Sequence, residues 1–329
     1  MRSLITGAGG FAGSHLADYL LAQRDNQADD PSGVWGCDRT DQRPPYLAEA
    51  VRLVAVDLRD PAATLDLLAE AAPDRIYHLA GQAHVGDSWN DPWDTLEANM
   101  RSQLNLLEGL VRLGQHPRVL VIGSADEYGT VAPGDLPLSE DRPLRPDSPY
   151  AVSKVGQDLL GLQYYLSHQL PVVRVRPFNH IGPRQNRRFV AANFAGQIAA
   201  IEAGLQPPVI RVGNLAARRD FTDVRDMMRG YGLTLEHGVP GEVYNLGSGR
   251  SVAIADLLHT LLSFASVPIS IEHDPARLRP SDLPDLVCDA RKAQAQTGWQ
   301  PSVPLDTTLR DLLNYERSRV ADQVAAGSR

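Results

Sequence analysis

Lysine is almost missing from this chain: among 32 basic residues only Lys154 and Lys292 are lysines. Cysteine is as scarce. Cys37 and Cys288 stand far apart and form no CxxC, which excludes a disulfide framework and a zinc site and fits a reducing compartment. No run of about 18 apolar residues occurs, which excludes a spanning helix. The apolar stretch in "RSLITGAGG" is far too short for a secretory signal, so the expectation is a soluble, cytoplasmic protein without a membrane partner. A basic tract is missing too. With 32 basic against 40 acidic residues the formal charge is −8, and nothing tracks a phosphate backbone, which excludes nucleic acid. A few local arginines can still hold a small anion.

What is present is an α/β rhythm. Short apolar runs at 3–7, 34–38, 51–57, 75–81, 118–124 and 171–178 alternate with helical patterns near 11–24, 61–72, 91–113 and 149–168. β-Branched runs buried on both faces predict a Rossmann-like doubly wound parallel sheet. After Pro177 the rhythm breaks into Arg, Asn, Gly and Pro, with one helix at 190–203. The segments "TDVRDMMRGYGLTLEHG" and "EVYNLGS" then read as a helix and strand returning to the first sheet. The expected division is a dinucleotide-binding domain of residues 1–177 plus about 221–247, and a smaller, discontinuous substrate domain of about 178–220 plus 248–329. No internal repeat is present.

"LITGAGGFAGSHLADYL" sets Gly7, Gly10 and Gly13 between a strand and a helix. Gly7 and Gly10 let the backbone turn toward a pyrophosphate, and Gly13 lets helix and strand pack closely. Asp38 ends the second strand, where a carboxylate accepts from the adenine ribose hydroxyls and repels a 2′-phosphate. That favours NAD(H). Arg39 beside it can pair with such a phosphate, which keeps NADP(H) open; a plain turn role for Asp38 also stays open. Asp57 and Leu58 close the third strand and border the adenine position.

"SPYAVSKVGQDLL" puts Tyr150 and Lys154 four residues apart, on one helical face. Bringing a phenol from its ordinary pKa of about 10 to neutrality takes roughly 4 kcal/mol. An ammonium one turn away and a nicotinamide cation both favour phenolate. In a chain this poor in lysine, Lys154 in place of arginine points to a titrating or point-charge role. A surface tyrosine beside a solvated lysine is the bland alternative.

Gly7, Gly10 and Gly13, "HLAGQAHV", Asn99 in "EANMRSQLNLLE", Ser124, Tyr150 and Lys154 follow in an order that resembles the extended short-chain dehydrogenase/reductases over nearly the whole chain. The resemblance implies a tightly held nicotinamide cofactor and a sugar-nucleotide substrate. It implies that Ser124 bonds the reacting sugar oxygen, Tyr150 transfers its proton and Lys154 tunes Tyr150 and holds the nicotinamide ribose. It extends the cofactor contacts to Phe11, Leu79, Ala80 and Asn99. "RPFNHIGPRQNRRFV" and "VGNLAARRDFTDVRD" resemble the GDP-4-keto-6-deoxy-D-mannose reductases, which form GDP-D-rhamnose; the related GDP-mannose 4,6-dehydratases share the Asn-His pair and the downstream Phe-Val. The implied substrate contacts are Asn179, Val190, Arg184, Arg188, Arg219 and Arg279, with arginine forks for a diphosphate. His180 reads as a local hydrogen-bonding residue.

"GSADEYG" bears on the choice between reductase and dehydratase. If the strand runs extended through 126, Ser124 and Asp126 share a face and Glu127 points away. The dehydratases carry a glutamate where Asp126 stands. An aspartate is one methylene shorter, and a general base must approach within about 3 Å of its proton. The expectation is a reductase with Asp126 orienting a sugar hydroxyl or water. A dehydratase, a 4-epimerase and a non-catalytic dinucleotide sensor stay as alternatives, the sensor opposed by an intact Ser124, Tyr150 and Lys154. Long helices at 91–113 and 149–168 imply, by the family resemblance, a homodimer.

Overall fold

The structure is a computed structural model that describes residues 1–24, 33–277 and 285–327. Arg279 lies outside the described residues. Seven parallel strands form the main sheet: β1 (Ser3–Thr6), β2 (Val34–Asp38), β3 (Val51–Ala55), β4 (Arg75–His78), β5 (Arg118–Ile122), β6 (Val172–Pro177) and, after an excursion, β10 (Val243–Leu246). Their order is β10-β6-β5-β4-β1-β2-β3, so the strand order reverses beside β1 and leaves a crevice at the carboxyl ends. Strands such as "RVLVI" and "VVRVRP" are buried along almost their full length, as an interior parallel sheet requires.

Helices cover both faces. Helices α1 (Phe11–Arg24) and α8 (Val224–His237) pack on one, with Leu16, Met227, Met228 and Tyr231 in the core. Helices α2 (Pro61–Ala71), α5 (Ser102–Leu113) and α6 (Pro149–His168) pack on the other, with Leu68, Leu106, Leu107 and Tyr164. Between β4 and α5 run the short helices α3 (Val85–Asn90) and α4 (Pro92–Leu96), then a π-turn at Glu97–Arg101.

A second core gathers over the carboxyl edge. It holds β7 (Asn179–Ile181), α7 (Val190–Glu202), β8 (Val209–Val212), β9 (Arg218–Asp223), β11 (Ser251–Ala253), α9 (Ile254–Ser263) and β12 (Ser270–His273). Strands β11, β9 and β7 form one small sheet, and β12 and β8 another. The C-terminal stretch divides differently from the expected domain boundary. Helix α10 (Arg291–Thr297) and Trp299, assigned by sequence to the smaller unit, pack into the main core instead. The physical reason is Trp299: fully buried, it donates its indole N–H to the Asp226 carbonyl at 2.8 Å, under α8. Only then does α11 (Leu305–Gly327) run back against α7.

Candidate active site

After β1 the chain turns at Gly7 with φ +68°, a left-handed conformation that suits glycine. A Cβ on Gly13 would lie 2.2 Å from the Gly7 carbonyl oxygen, so only glycine lets α1 begin this close to the turn. The loop is pinned from β2. The Gly7 N–H donates to the Cys37 carbonyl at 2.8 Å, and the Gly9 N–H to Asp38 Oδ2 at 3.2 Å. Asp38 Oδ1 accepts the Arg39 N–H at 2.8 Å. With no acidic residue in its first turn, α1 presents an uncompensated positive end.

A cleft of about 350 Å³ opens there, lined by Gly7, Gly10, Asp38, Arg39, Asp57, Leu58, Leu79 and Ala80. A glycine turn at a helix start and a carboxylate closing the second strand fit the pyrophosphate and ribose of a dinucleotide. Gly81, Gln82, Arg59, Ala98 and Ser102 also line the cleft, and the sequence reading missed them. The first two follow directly in "HLAGQ", where a strand carboxyl end was the available signal. Asp57 is held below the usual carboxylate range by its hydrogen bond from Arg59.

Asn99 and Phe11 are not among the residues that line this cleft. Asn99 is fully buried: Oδ1 accepts the Gln82 N–H at 2.7 Å, and Nδ2 donates to the Gln82 carbonyl at 3.1 Å and to Ser153 Oγ at 2.8 Å. It braces the cleft wall from the π-turn, directly behind Gln82. Phe11 stacks on His180, ring centroids 5.8 Å apart, and so joins the glycine loop to the substrate segment.

The catalytic group converges at the ends of β5 and α6. Strand β5 stops at Ile122, and residues Ala125–Tyr128 form a 3₁₀ turn capped by Ser124. This corrects the extended-strand premise for residue 126. The reason is local hydrogen bonding: Ser124 Oγ accepts the Asp126 N–H at 3.2 Å, while Glu127 Oε1 accepts the Ser124 N–H at 2.8 Å. The two carboxylates differ in burial. Asp126 lies half-buried with its charge acting on Tyr150, and Glu127 is fully buried beneath. Ser124 and Tyr150 share a side-chain hydrogen bond.

Tyr150 lies buried at the start of α6. Burial raises the phenol well above its ordinary value, Asp126 raises it further, and the Ser124 hydrogen bond opposes both. Lys154 Nζ stands 5.9 Å from the Tyr150 ring centroid and donates to the Ile122 carbonyl and Gln157 Oε1, each at 2.9 Å. Burial pulls Lys154 down to about 8, against the attraction of Glu127. Glu127 adds to the upward push on Tyr150, so burial and the two carboxylates favour the neutral phenol.

The substrate-side residues lie around the second core. Asn179 is exposed at the start of β7, and the β7–β9 register, Asn179 opposite Phe221, sets half-buried Arg219 on the neighbouring strand. Val190 opens α7. Arg184 and Arg188 are not bare forks. Arg184 pairs with Asp18 of α1 at 2.7 Å and lies over the Tyr46 ring, and Arg188 pairs with Asp87 of α3. His180 Nδ1 bonds the Phe178 carbonyl at 3.3 Å, the local role expected of it. Among the described residues no cluster of His, Cys, Asp and Glu has metal-site geometry, and no helix is long and apolar enough to cross a membrane.

Comparison with known proteins places this geometry. Residues 4–312 match the family model described as GDP-mannose 4,6 dehydratase. The GDP-6-deoxy-D-mannose reductase of Pseudomonas aeruginosa is 37% identical over 98% of this chain and 99% of its own length. The solved structure of RMD from Pseudomonas aeruginosa complexed with NADPH superposes with a TM-score of 0.82 at 35% identity, covering 97% of this chain and 100% of that one. The UDP-glucose 4-epimerase of Thermus thermophilus in complex with NAD gives a TM-score of 0.85 at 29% identity, over 96% and 99%.

Proposed function

The chain belongs to the GDP-mannose 4,6-dehydratase family of extended short-chain dehydrogenase/reductases, and from that premise we propose that it reduces the C4 ketone of GDP-4-keto-6-deoxy-D-mannose to GDP-D-rhamnose. The observation that carries the reading is the meeting of Ser124, Asp126 and Tyr150 where β5 ends and α6 begins. A reduction needs a proton delivered to the C4 oxygen, so a phenol kept protonated is in the correct state. Ser124 accepts the Asp126 N–H, and its one O–H, which bonds Tyr150 here, turns to donate to that oxygen when the sugar is bound. Asp126, with its short reach, orients a sugar hydroxyl and takes no proton from the ring carbons. The bound nicotinamide cofactor supplies the hydride. Gly7, Gly10 and the start of α1 hold its pyrophosphate, Asp38 its adenine ribose and Lys154 its nicotinamide ribose. Asn179, Arg219, Arg188 and Arg184 receive the GDP diphosphate, the last two by leaving their surface carboxylates.

The cofactor preference follows from Asp38, which favours NADH; Arg39, exposed beside it, admits NADPH, the cofactor bound in the RMD structure. A second reading, GDP-mannose 4,6-dehydratase, has the family model in its favour. One pair of assays separates them. With GDP-4-keto-6-deoxymannose, NADH and NADPH are both expected to be oxidised, NADH at least as fast. Failure of both sinks the reductase reading. Release of a 4-keto-6-deoxy sugar from GDP-mannose alone would establish the dehydratase instead.

The assembly we infer is a homodimer through α6. Val152, Leu159 and Leu166 recur there at seven-residue spacing and are 46%, 50% and 63% exposed. A monomer mass independent of concentration counts against it.

A further inference from the structure

Glu127 has no part in the reaction as described, yet both of its carboxylate oxygens are held. It is fully buried, with Oε1 accepting the Ser124 N–H at 2.8 Å and Oε2 accepting Arg176 Nε–H at 3.0 Å. Arg176 cannot swing away. Asp158 holds it from α6, and its Nη1 donates to the Tyr128 hydroxyl at 3.1 Å. Asp158 is in turn fixed by Arg174, at 2.8 Å. The chain before the turn is shaped to admit this carboxylate: a Cβ on Gly123 would stand 2.2 Å from Glu127 Oε1. Sinking a carboxylate into the interior costs more than the capping of a four-residue turn returns. Stability of the turn therefore does not account for it.

We propose that Glu127 is a positioning residue: anchored on Arg176, it holds the Ser124 backbone N–H and so aims the Ser124 hydroxyl and the Asp126 side chain at the substrate. The proposal rests on the reading of Ser124 as a substrate contact. Its second effect is electrostatic. Lys154 faces Glu127 from α6, with His78 of β4 on another side and Tyr150 on its own helix, and Glu127 is the carboxylate that favours its ammonium.

Two variants separate reach from charge. Glu127→Asp keeps the charge against Arg176 but falls short of the Ser124 N–H. Its kcat is expected to drop roughly 10- to 100-fold, the scale of an ångström of misplacement, with substrate KM and cofactor affinity held within about twofold. The alkaline limb of its kcat profile stays put. Burial and then Asp158 push Glu127 up to about 8 against the pull of Arg176, so its charge develops over the range in which Lys154 titrates. Glu127→Gln removes that charge, and its alkaline limb moves to lower pH because Lys154 deprotonates sooner. In a Ser124→Ala background, Glu127→Asp is expected to cost less than about twofold more. Amide exchange over residues 118–130, followed by mass spectrometry, should speed up at least about tenfold in Glu127→Asp. Wild-type kcat in Glu127→Asp, or losses that multiply with Ser124→Ala, would overturn the proposal. So would unchanged exchange over 118–130, which decides the matter even if the wild type fails to reduce the 4-keto sugar and the reductase reading falls.

Discussion

Arg176 and Arg188 both hold carboxylates, yet the Arg176 side chain is 5% exposed and that of Arg188 is 61% exposed. They belong to two regions of opposite character. Under the carboxyl ends of β5 and β6, the carboxyls of Glu127 and Asp158 meet the guanidiniums of Arg174 and Arg176, shut away from water. Across the mouth, Arg184 and Arg188 meet Asp18 and Asp87, both 41% exposed, in pairs that water screens. Burial makes the floor unable to change partners, because each charge has no alternative to the ion it faces. Solvent makes the rim exchangeable. An arginine that gives up an exposed carboxylate for a diphosphate loses little and gains a bidentate, doubly charged partner. Under the proposed function, the contrast would let one site combine rigidly aimed catalytic groups with arginines that exchange a surface carboxylate for a diphosphate.

The contrast is broken most directly at Arg176. Arg176→Leu leaves Glu127 and Asp158 without their shared cation, and unfolding in urea is expected to show a loss of about 3–5 kcal/mol. A loss below about 1 kcal/mol would mean the floor is no more fixed than the rim. Tyr150 stands where the two regions meet, and there the expected effect is on rate alone. Tyr150→Phe removes the proton donor but keeps the ring, so kcat should fall roughly 10²- to 10⁴-fold with the unfolding midpoint unchanged. Equal cofactor turnover in the variant and the wild type would revive the non-catalytic dinucleotide sensor.

The floor also sets a pH dependence. His78, buried at the end of β4, bonds Thr6 Oγ1 through Nδ1 at 2.9 Å, and burial followed by the nearby Lys154 charge lowers its pKa to about 3. Between the ordinary histidine value of 6.5 and about 3 the unfolded chain binds a proton that the folded chain refuses. Stability should therefore fall as pH drops through that window, by up to about 1.4 kcal/mol per unit from this group. His78→Asn should flatten the slope by that amount, as measured by urea unfolding at a series of pH values. An unchanged slope would mean that His78 takes up its proton in the folded state.

The sheet was legible because runs such as "RVLVI" and "VVRVRP" carry their own burial pattern, and the glycine turn because φ at Gly7 and the space at Gly13 admit little else. The 3₁₀ turn was legible too, in the spacing Ser124-Ala125-Asp126-Glu127, a capping box. Strand alternation, which sets Ser124 and Asp126 on one face, does not hold in this backbone. At Tyr150 the limit is another. A lysine one turn away is visible in sequence, whereas the desolvation that raises the phenol depends on everything packed around it. The partners of Trp299, Arg184 and Arg188 were out of reach for a related cause: Asp226, Asp18 and Asp87 stand far along the chain and meet them only after the sheet has closed.

The smallest expected effect on the fold is at the rim, where Arg188→Ala sharpens the contrast from the other side. An exposed ion pair contributes about 0–1 kcal/mol, so the unfolding free energy should change by less than about 1 kcal/mol. A charge-assisted bond to a diphosphate is worth about 1.5–3 kcal/mol, so KM for the sugar nucleotide should rise at least roughly tenfold with kcat nearly constant. Asp87→Ala supplies the control. Freed from its carboxylate, Arg188 should bind the diphosphate at least as well as before, and KM should hold or fall. If both substitutions raise KM equally, the Arg188–Asp87 pair acts as a fixed wall of the site, and exchange of partners at the rim is ruled out.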